Sequence, residues 1–210
     1  AMSAFPGFTP ESLTFLRGLK RHNEKPWFET NRPVYERAVL GPLRQLADEL
    51  DVRFAKLAPE FVSPPKRSLF RIHRDVRFSK DKTPYKPHLD LWFWEGERRG
   101  WESPGFFLRL FAGRLILGAG MHHFSKPQLE AYRSAVLDAR AGPALESLRR
   151  ELERGGPYRP GAPERKTLPR GYDKAHPRAA LLLHESLHAT WEGPVPREAR
   201  SAQFVAWCAR

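Results

Sequence analysis

The hydrophobic period changes twice along this chain, and that pattern limits the folds open to it. Near the N-terminus, Leu13, Leu16 and Leu19 recur at helical spacing behind Thr9-Pro10-Glu11, a capping residue followed by a proline suited to a first helical position. Phe8 is placed to staple onto Leu13. Leu43, Leu46, Ala47, Leu50 and Phe54 keep the three-and-four spacing. A second helical stretch is therefore predicted from about Asn31 to Phe54, kinked or split at Gly41-Pro42, with a linker at Pro59 to Pro65.

The middle of the chain alternates instead. Ser68 to Phe78, His88 to Glu95, Phe106 to Phe111 and Arg114 to Met121 read as four strands. The links Glu95 to Gly105 and Ala112-Gly113 are short, which predicts an antiparallel meander for the last three. Helical signals then return. Ser125-Lys126-Pro127-Gln128 is a capping box, Phe124 can staple onto Leu129, and Pro143 to Glu153 is helical up to Gly155-Gly156. After an irregular stretch from Tyr158 to Tyr172, Pro177 to His188 and Arg197 to Ala209 are predicted helical. Helices, then strands, then helices give an α+β class: an antiparallel sheet of about four or more strands, packed with N-terminal and C-terminal helices. At 210 residues, 1–210 is expected to be a single domain.

Several function classes drop out. No run of 18 apolar residues spans a membrane, and Ala1-Met2-Ser3 lacks the basic and apolar regions of a secretory signal. A lone cysteine, Cys208, cannot form an internal disulfide framework and suits a reducing, cytoplasmic setting as a small hydrophobe. There is no phosphate-binding glycine loop ending in Lys-Ser/Thr, no Gly-x-Ser-x-Gly elbow and no Cys-x-x-Cys pair; Gly118-Ala-Gly120 lacks the third glycine of a dinucleotide fingerprint. No cofactor is expected. His184 and His188, four apart on the predicted helix, can face one metal, but no third ligand is evident and no metal is expected.

Charge is the positive signal. The formal net charge is +12, and two segments carry nearly all of it. Lys66 to His88 holds eight Lys and Arg against two Asp, and Arg154 to Arg178 holds seven against one Glu and one Asp. A field gathered in this way attracts and orients an anion. Of the 36 basic residues, 26 are Arg, whose planar fork matches phosphate and carboxylate.

The densest constellation runs from Arg71 to Lys86. Strand alternation sets Arg71, His73, Asp75 and Arg77 on one face and Phe70, Ile72, Arg74, Val76 and Phe78 on the other. Arg74 among apolar neighbours then needs a carboxylate or carbonyl partner. A loop carrying Lys80, Lys82, Tyr85 and Lys86 follows. The candidate ligand-binding residues are Arg71, Arg74, Arg77, Lys80, Lys82, Tyr85 and Lys86, with Asp75 and His73 as candidates for any acid–base step. His73, Asp75, His88 and Asp90 can also gather at one strand end. Trp92 and Trp94 share the face of His88 and Asp90, as core or cleft wall.

The spacing Arg71-x-x-Arg74-Asp75-x-Arg77-Phe78-x-x-Asp81-Lys82-x-x-Tyr85 resembles the signature of a bacterial family called domain of unknown function 2461. Asn23-x-x-x-Trp27-Phe28-x-x-Asn31-Arg32-x-x-Tyr35 is similar to its N-terminal block, and Pro169-Arg170-Gly171-Tyr172-Asp173 with His176-Pro177 to its C-terminal one. The resemblance covers nearly the whole chain and implies no particular activity. It adds Arg170 and Tyr172, with Asp173 and His176, as a second wall of the site, although each of these also suits a turn or a helix start.

Three functions fit these residues. The foremost is binding of a small anionic ligand bearing phosphate or carboxylate, with catalysis open. The others are binding of nucleic acid, and a structural or partner-binding role in which the Arg motif is an internal ion network. The sequence sets neither the oligomeric state nor the ligand.

Overall fold

The structure is a computed structural model and describes residues 4–59, 68–94 and 103–209. Most of the linker predicted at Pro59 to Pro65, most of the link from Glu95 to Gly105, and Lys66 lie outside the described residues. The fold is α+β, with five strands in one open antiparallel sheet. In chain order these are β1 (Leu89–Trp94), β2 (Gly105–Leu110), β3 (Arg114–Met121), β4 (Arg159–Pro160) and β5 (Leu187–Pro194), arranged β1-β2-β3-β5-β4. The first three are the predicted meander; Phe111 N–H donates to the Arg114 carbonyl at 2.8 Å and closes the β2–β3 turn at Ala112-Gly113. No helix among the described residues is long and apolar enough to cross a membrane.

Contacts divide the chain into two compact units. One comprises Ala1–Gly96, Phe107–Leu117 and Glu192–Arg210; the other comprises Glu97–Phe106 and Gly118–Trp191.

In the first unit, α1 (Pro10–Arg21) begins as its sequence dictates. The Thr9 hydroxyl accepts from Ser12 N–H at 3.3 Å, and Ser12 Oγ accepts from Thr9 N–H at 3.0 Å. Leu13, Phe15, Leu16 and Leu19 are buried. The second helical stretch starts earlier than predicted, as α2 (Lys25–Val34), and passes through a π-helical segment, Tyr35–Leu40, into α3 (Gly41–Leu57). Pro42 accounts for that segment. It has no N–H for the Ala38 carbonyl and its ring crowds it, so the backbone widens and Gly41 N–H reaches Glu36 instead. The Ala38 carbonyl is taken by the buried Ser12 Oγ at 2.6 Å. Phe5, Phe8, Phe28, Leu46, Leu50 and Phe204 fill the core, each contributing about 1.5–3 kcal/mol. At the C-terminus the predicted helix is split into a 3₁₀ turn, Arg197–Arg200, and α6 (Gln203–Cys208). Burial pushes the Cys208 thiol up, so it stays protonated.

The predicted strand from Ser68 to Phe78 does not form. Leu69 bridges Leu91 and His73 bridges Tyr85, while Arg74 N–H reaches the Pro84 carbonyl and Lys86 N–H the Ile72 carbonyl, both at 2.8 Å. The facing segment contains Pro84 and Pro87, which have no N–H to give, so the ladder breaks after each bridge. Burial still alternates over 71–77, with Arg71, His73, Asp75 and Arg77 exposed between buried or half-buried residues, but Phe78 is 94% exposed.

In the second unit, α4 (Lys126–Leu137) starts with Ser125 N–H donating to Gln128 Oε1 at 2.9 Å. The Asp138 carboxylate accepts from the backbone of Arg140 and Ala141 at 2.8 and 2.7 Å and starts α5 (Ala141–Glu153). Phe124, Tyr132, Val136, Leu181 and Leu182 form the core here. The helix predicted from Pro177 to His188 is a correction: a 3₁₀ turn, Ala179–Leu183, gives way to extended backbone at His184 and then to β5. Three consecutive leucines have no single helical face to fill, and the segment containing the β-formers Thr190 and Trp191 joins the sheet, with Thr190 opposite Arg159 and Ala189 opposite Pro160.

Candidate functional site

The exposed edge of the first unit carries a cleft of about 720 Å³ between α2, the π-helical segment, α3 and residues 69–73. Two of the sequence blocks meet here. Asn23 clamps the backbone of Tyr85 as a strand would, its Nδ2 donating to the carbonyl at 2.8 Å and its Oδ1 accepting from the N–H at 3.0 Å. Phe28 stacks on Tyr85 with ring centroids 4.2 Å apart, and His73 packs against both rings. Arg32 lies over Phe28 and closes a two-pronged pair with Glu29 at 2.9 and 2.6 Å. The block from Asn23 to Tyr35 thus builds one wall, and Leu69 to His73 the other.

The basic side chains of the Arg71 to Lys86 constellation separate into two groups. Arg77 is held by Asp75 through two bonds of 3.0 and 2.7 Å, Arg74 by Asp81, and Lys82 Nζ by the Val76 carbonyl at 2.8 Å. Of the two partners open to Arg74, a carboxylate or a carbonyl, the structure supplies the Asp81 carboxylate. Arg71, by contrast, lines the cleft and makes no hydrogen bond or ion pair among the described residues. Across from it, α3 contributes Arg44 and Asp48, and Arg44 also has no such partner among the described residues. Lys80 is exposed.

Electrostatics separate the two acid–base candidates. Hydrogen bonds from the Arg77 side chain and backbone bring Asp75 down to about 2, which leaves it a weak base near neutral pH. His73 lines the cleft itself. Tyr35, also in the wall, is raised by burial, so its hydroxyl remains a neutral donor.

Beside the cleft wall, His88 and Asp90 come together as expected, Nε2 to Oδ2 at 3.4 Å, whereas His73 and Asp75 are engaged elsewhere. Arg109 and Lys86 complete the group around Asp90, at 2.7 and 3.7 Å. Burial lowers Lys86 while Asp90 raises it, with the first effect larger; its ammonium also sits over the Phe70 ring at 5.2 Å. Trp92 stacks on Phe107 at 5.7 Å and Trp94 is buried.

The residues of the C-terminal block belong to the second unit and serve its turns. Tyr172 packs on the Phe124–Leu182 core under Arg133, Gly171 takes a left-handed φ of 88°, Asp173 Oδ1 accepts from Ala175 N–H at 2.8 Å, and His176 Nδ1 from Arg178 N–H at 3.1 Å. Arg170 is exposed. Among the described residues no group of three or more His, Cys, Asp or Glu gathers as a metal site.

A family model described as a conserved hypothetical protein, DUF2461, matches residues 11–206. The chain belongs to that family. The matched span of DUF2461 includes all three blocks, so both the cleft and the Tyr172 turn fall within it. No curated protein and no solved structure matches the chain. Within this DUF2461 chain, Arg44 and Asp48 are the cleft residues that the sequence concealed. They lie four apart on a long helix, the spacing of any exposed surface pair, and only the fold turns them toward Arg71.

Proposed function

We propose that the chain binds a small anionic ligand, bearing phosphate or carboxylate, in the cleft of the first unit. The observation carrying this reading is that Arg71 and Arg44 face the same cleft while other arginines of the signature are paired with Asp75 and Asp81. Two guanidinium groups can hold one oxyanion through charge-assisted bonds of about 1.5–3 kcal/mol each. Tyr35 offers a neutral donor, and His73 stands where a proton could be exchanged with the ligand. Isothermal calorimetry with nucleotides, sugar phosphates and dicarboxylates tests this. Arg71→Ala and Arg44→Ala are each expected to weaken binding about tenfold or more, and Arg77→Ala, whose fork Asp75 occupies, less than threefold. Unchanged affinity in Arg71→Ala rejects the assignment.

One observation favours a nucleic-acid partner as the second reading. Phe78 is almost fully exposed, with the Arg77 guanidinium over its ring at 5.8 Å, in a loop that also carries Lys80. Such a ring can stack on a base of a single strand. Binding of this kind falls steeply with salt and should weaken in Phe78→Ala; an oligonucleotide that fails to bind at low salt removes it.

A further inference from the structure

We propose that the second unit binds a small neutral molecule, apolar apart from one hydroxyl group, in a cavity between α5 and residues 184–189. This cavity has a volume of about 320 Å³ and is independent of the Arg71 cleft. It exists because α5 carries Leu145, Leu148 and Leu152 on one face, and the Phe124–Leu182 core covers that stripe only in part, at Leu145. Gly142 is the one buried residue of the helix, and Leu148 is 48% exposed at the cavity mouth. Protein interiors keep few voids larger than a water, and those lined by hydrocarbon take up apolar guests. Tyr132 of α4, Leu181 of the 3₁₀ turn and Pro160 of β4 close the other sides. Walls from so many elements of one unit admit a small molecule and exclude a helix or strand of another protein.

The polar side of the cavity selects the head group. His184, Ser186 and His188 all line it, together with Leu187 and Ala189 of the same extended segment. The histidine pair that helical spacing would also have brought together thus lines one cavity from extended backbone. Two charged groups of this region, Arg149 and Glu164, are engaged by neighbours, although Arg149 Nε is buried without a hydrogen-bond partner among the described residues. Arg149 is bonded by Glu153 at 2.5 Å, and Glu164 accepts from the Glu185 N–H at 2.7 Å and from the Ser186 hydroxyl. Burial lowers both imidazoles and favours their neutral forms. With both imidazoles neutral and the Arg149 guanidinium held by Glu153, an ionic head would lose its water for too little compensation, whereas a hydroxyl needs less. His188 Nδ1 is buried without a hydrogen-bond partner among the described residues. A hydroxyl can donate to an imidazole or accept from it, so it meets either tautomer.

Calorimetry of the full chain with p-cresol, toluene and p-toluate tests the proposal. p-Cresol is expected to bind, toluene about tenfold more weakly for want of one hydrogen bond, and p-toluate at least about tenfold more weakly than p-cresol. Leu148→Trp, placed at an exposed position, should fill the cavity and abolish binding of both neutral probes with an unchanged thermal melt, while Arg71→Ala should leave both intact. His188→Leu should remove the preference for p-cresol and retain toluene. The proposal is overturned if neither neutral probe binds the wild-type chain, if binding survives in a folded Leu148→Trp, or if p-toluate binds as tightly as p-cresol.

Discussion

Replacing Asp90 by Asn tests whether the ion cluster on β1 stabilises the fold as its geometry requires. Asp90 is nearly enclosed, with its side chain 12% exposed, and receives Arg109 Nε and Nη2 at 2.7 and 3.2 Å. Burial pushes its carboxyl up, but the hydrogen bonds from His88 and Arg109 outweigh it and hold the group at about 2, against an ordinary 3.8. That difference corresponds to about 2 kcal/mol of stability near neutral pH. Because the folded value is the lower one, the contribution is complete above the unfolded value and is lost as pH falls through about 2. Asp90→Asn keeps the shape and removes the charge, and it leaves Lys86 and Arg109 without their shared anion. Urea denaturation of both proteins should therefore give a gap of about 2 kcal/mol or more at pH 7, shrinking to less than about half of that by pH 2.5 as the wild-type carboxyl protonates. A gap that stays constant with pH, or one under about 0.5 kcal/mol at pH 7, would refute the reasoning.

Ser12→Ala should destabilise the chain by about 1–3 kcal/mol, since the buried Ala38 carbonyl then has neither the Ser12 hydroxyl nor a Pro42 N–H; the midpoint of urea unfolding measures it. We also propose that residues 1–210 unfold as one domain, because β2, β3 and β5 each carry residues of both compact units. Far-UV and near-UV circular dichroism melts should coincide, and two separated transitions would count against it.

What was legible in the sequence was whatever local chemistry dictates. Thr9-Pro10, Ser125 with Gln128, and the alternation of 106–121 announce their elements because caps and pleats are short-range devices. The errors have longer-range causes. Residues 68–78 alternate like a strand, but whether a strand forms depends on the donors of its neighbour, and Pro84 and Pro87 withhold them. Residues 177–188 have helical spacing at the pair His184 and His188, yet the strands that claim 187–191 lie far away in sequence. The site follows the same division. Arg71 and His73 were visible as part of a basic run, whereas Arg44 and Asp48 acquire meaning only when α3 is laid against 69–73.

The signature itself explains why its arginines have different fates. It contains Arg71, Arg74 and Arg77 but two carboxylates, Asp75 and Asp81. Asp75 stands two residues before Arg77, a spacing that extended backbone turns into a shared face, so the pair closes locally at almost no cost in loop ordering. Asp81 also accepts from Thr83 N–H and Oγ1 at 3.0 and 2.7 Å, which fixes the loop so that its second oxygen meets the half-buried Arg74. Each carboxylate thus occupies one guanidinium and ties down the backbone around it. Arg71 is left lining a cleft with Arg44 and Asp48, while Arg32 in the same wall is held by Glu29, and this leftover guanidinium is what the proposed anionic ligand would engage.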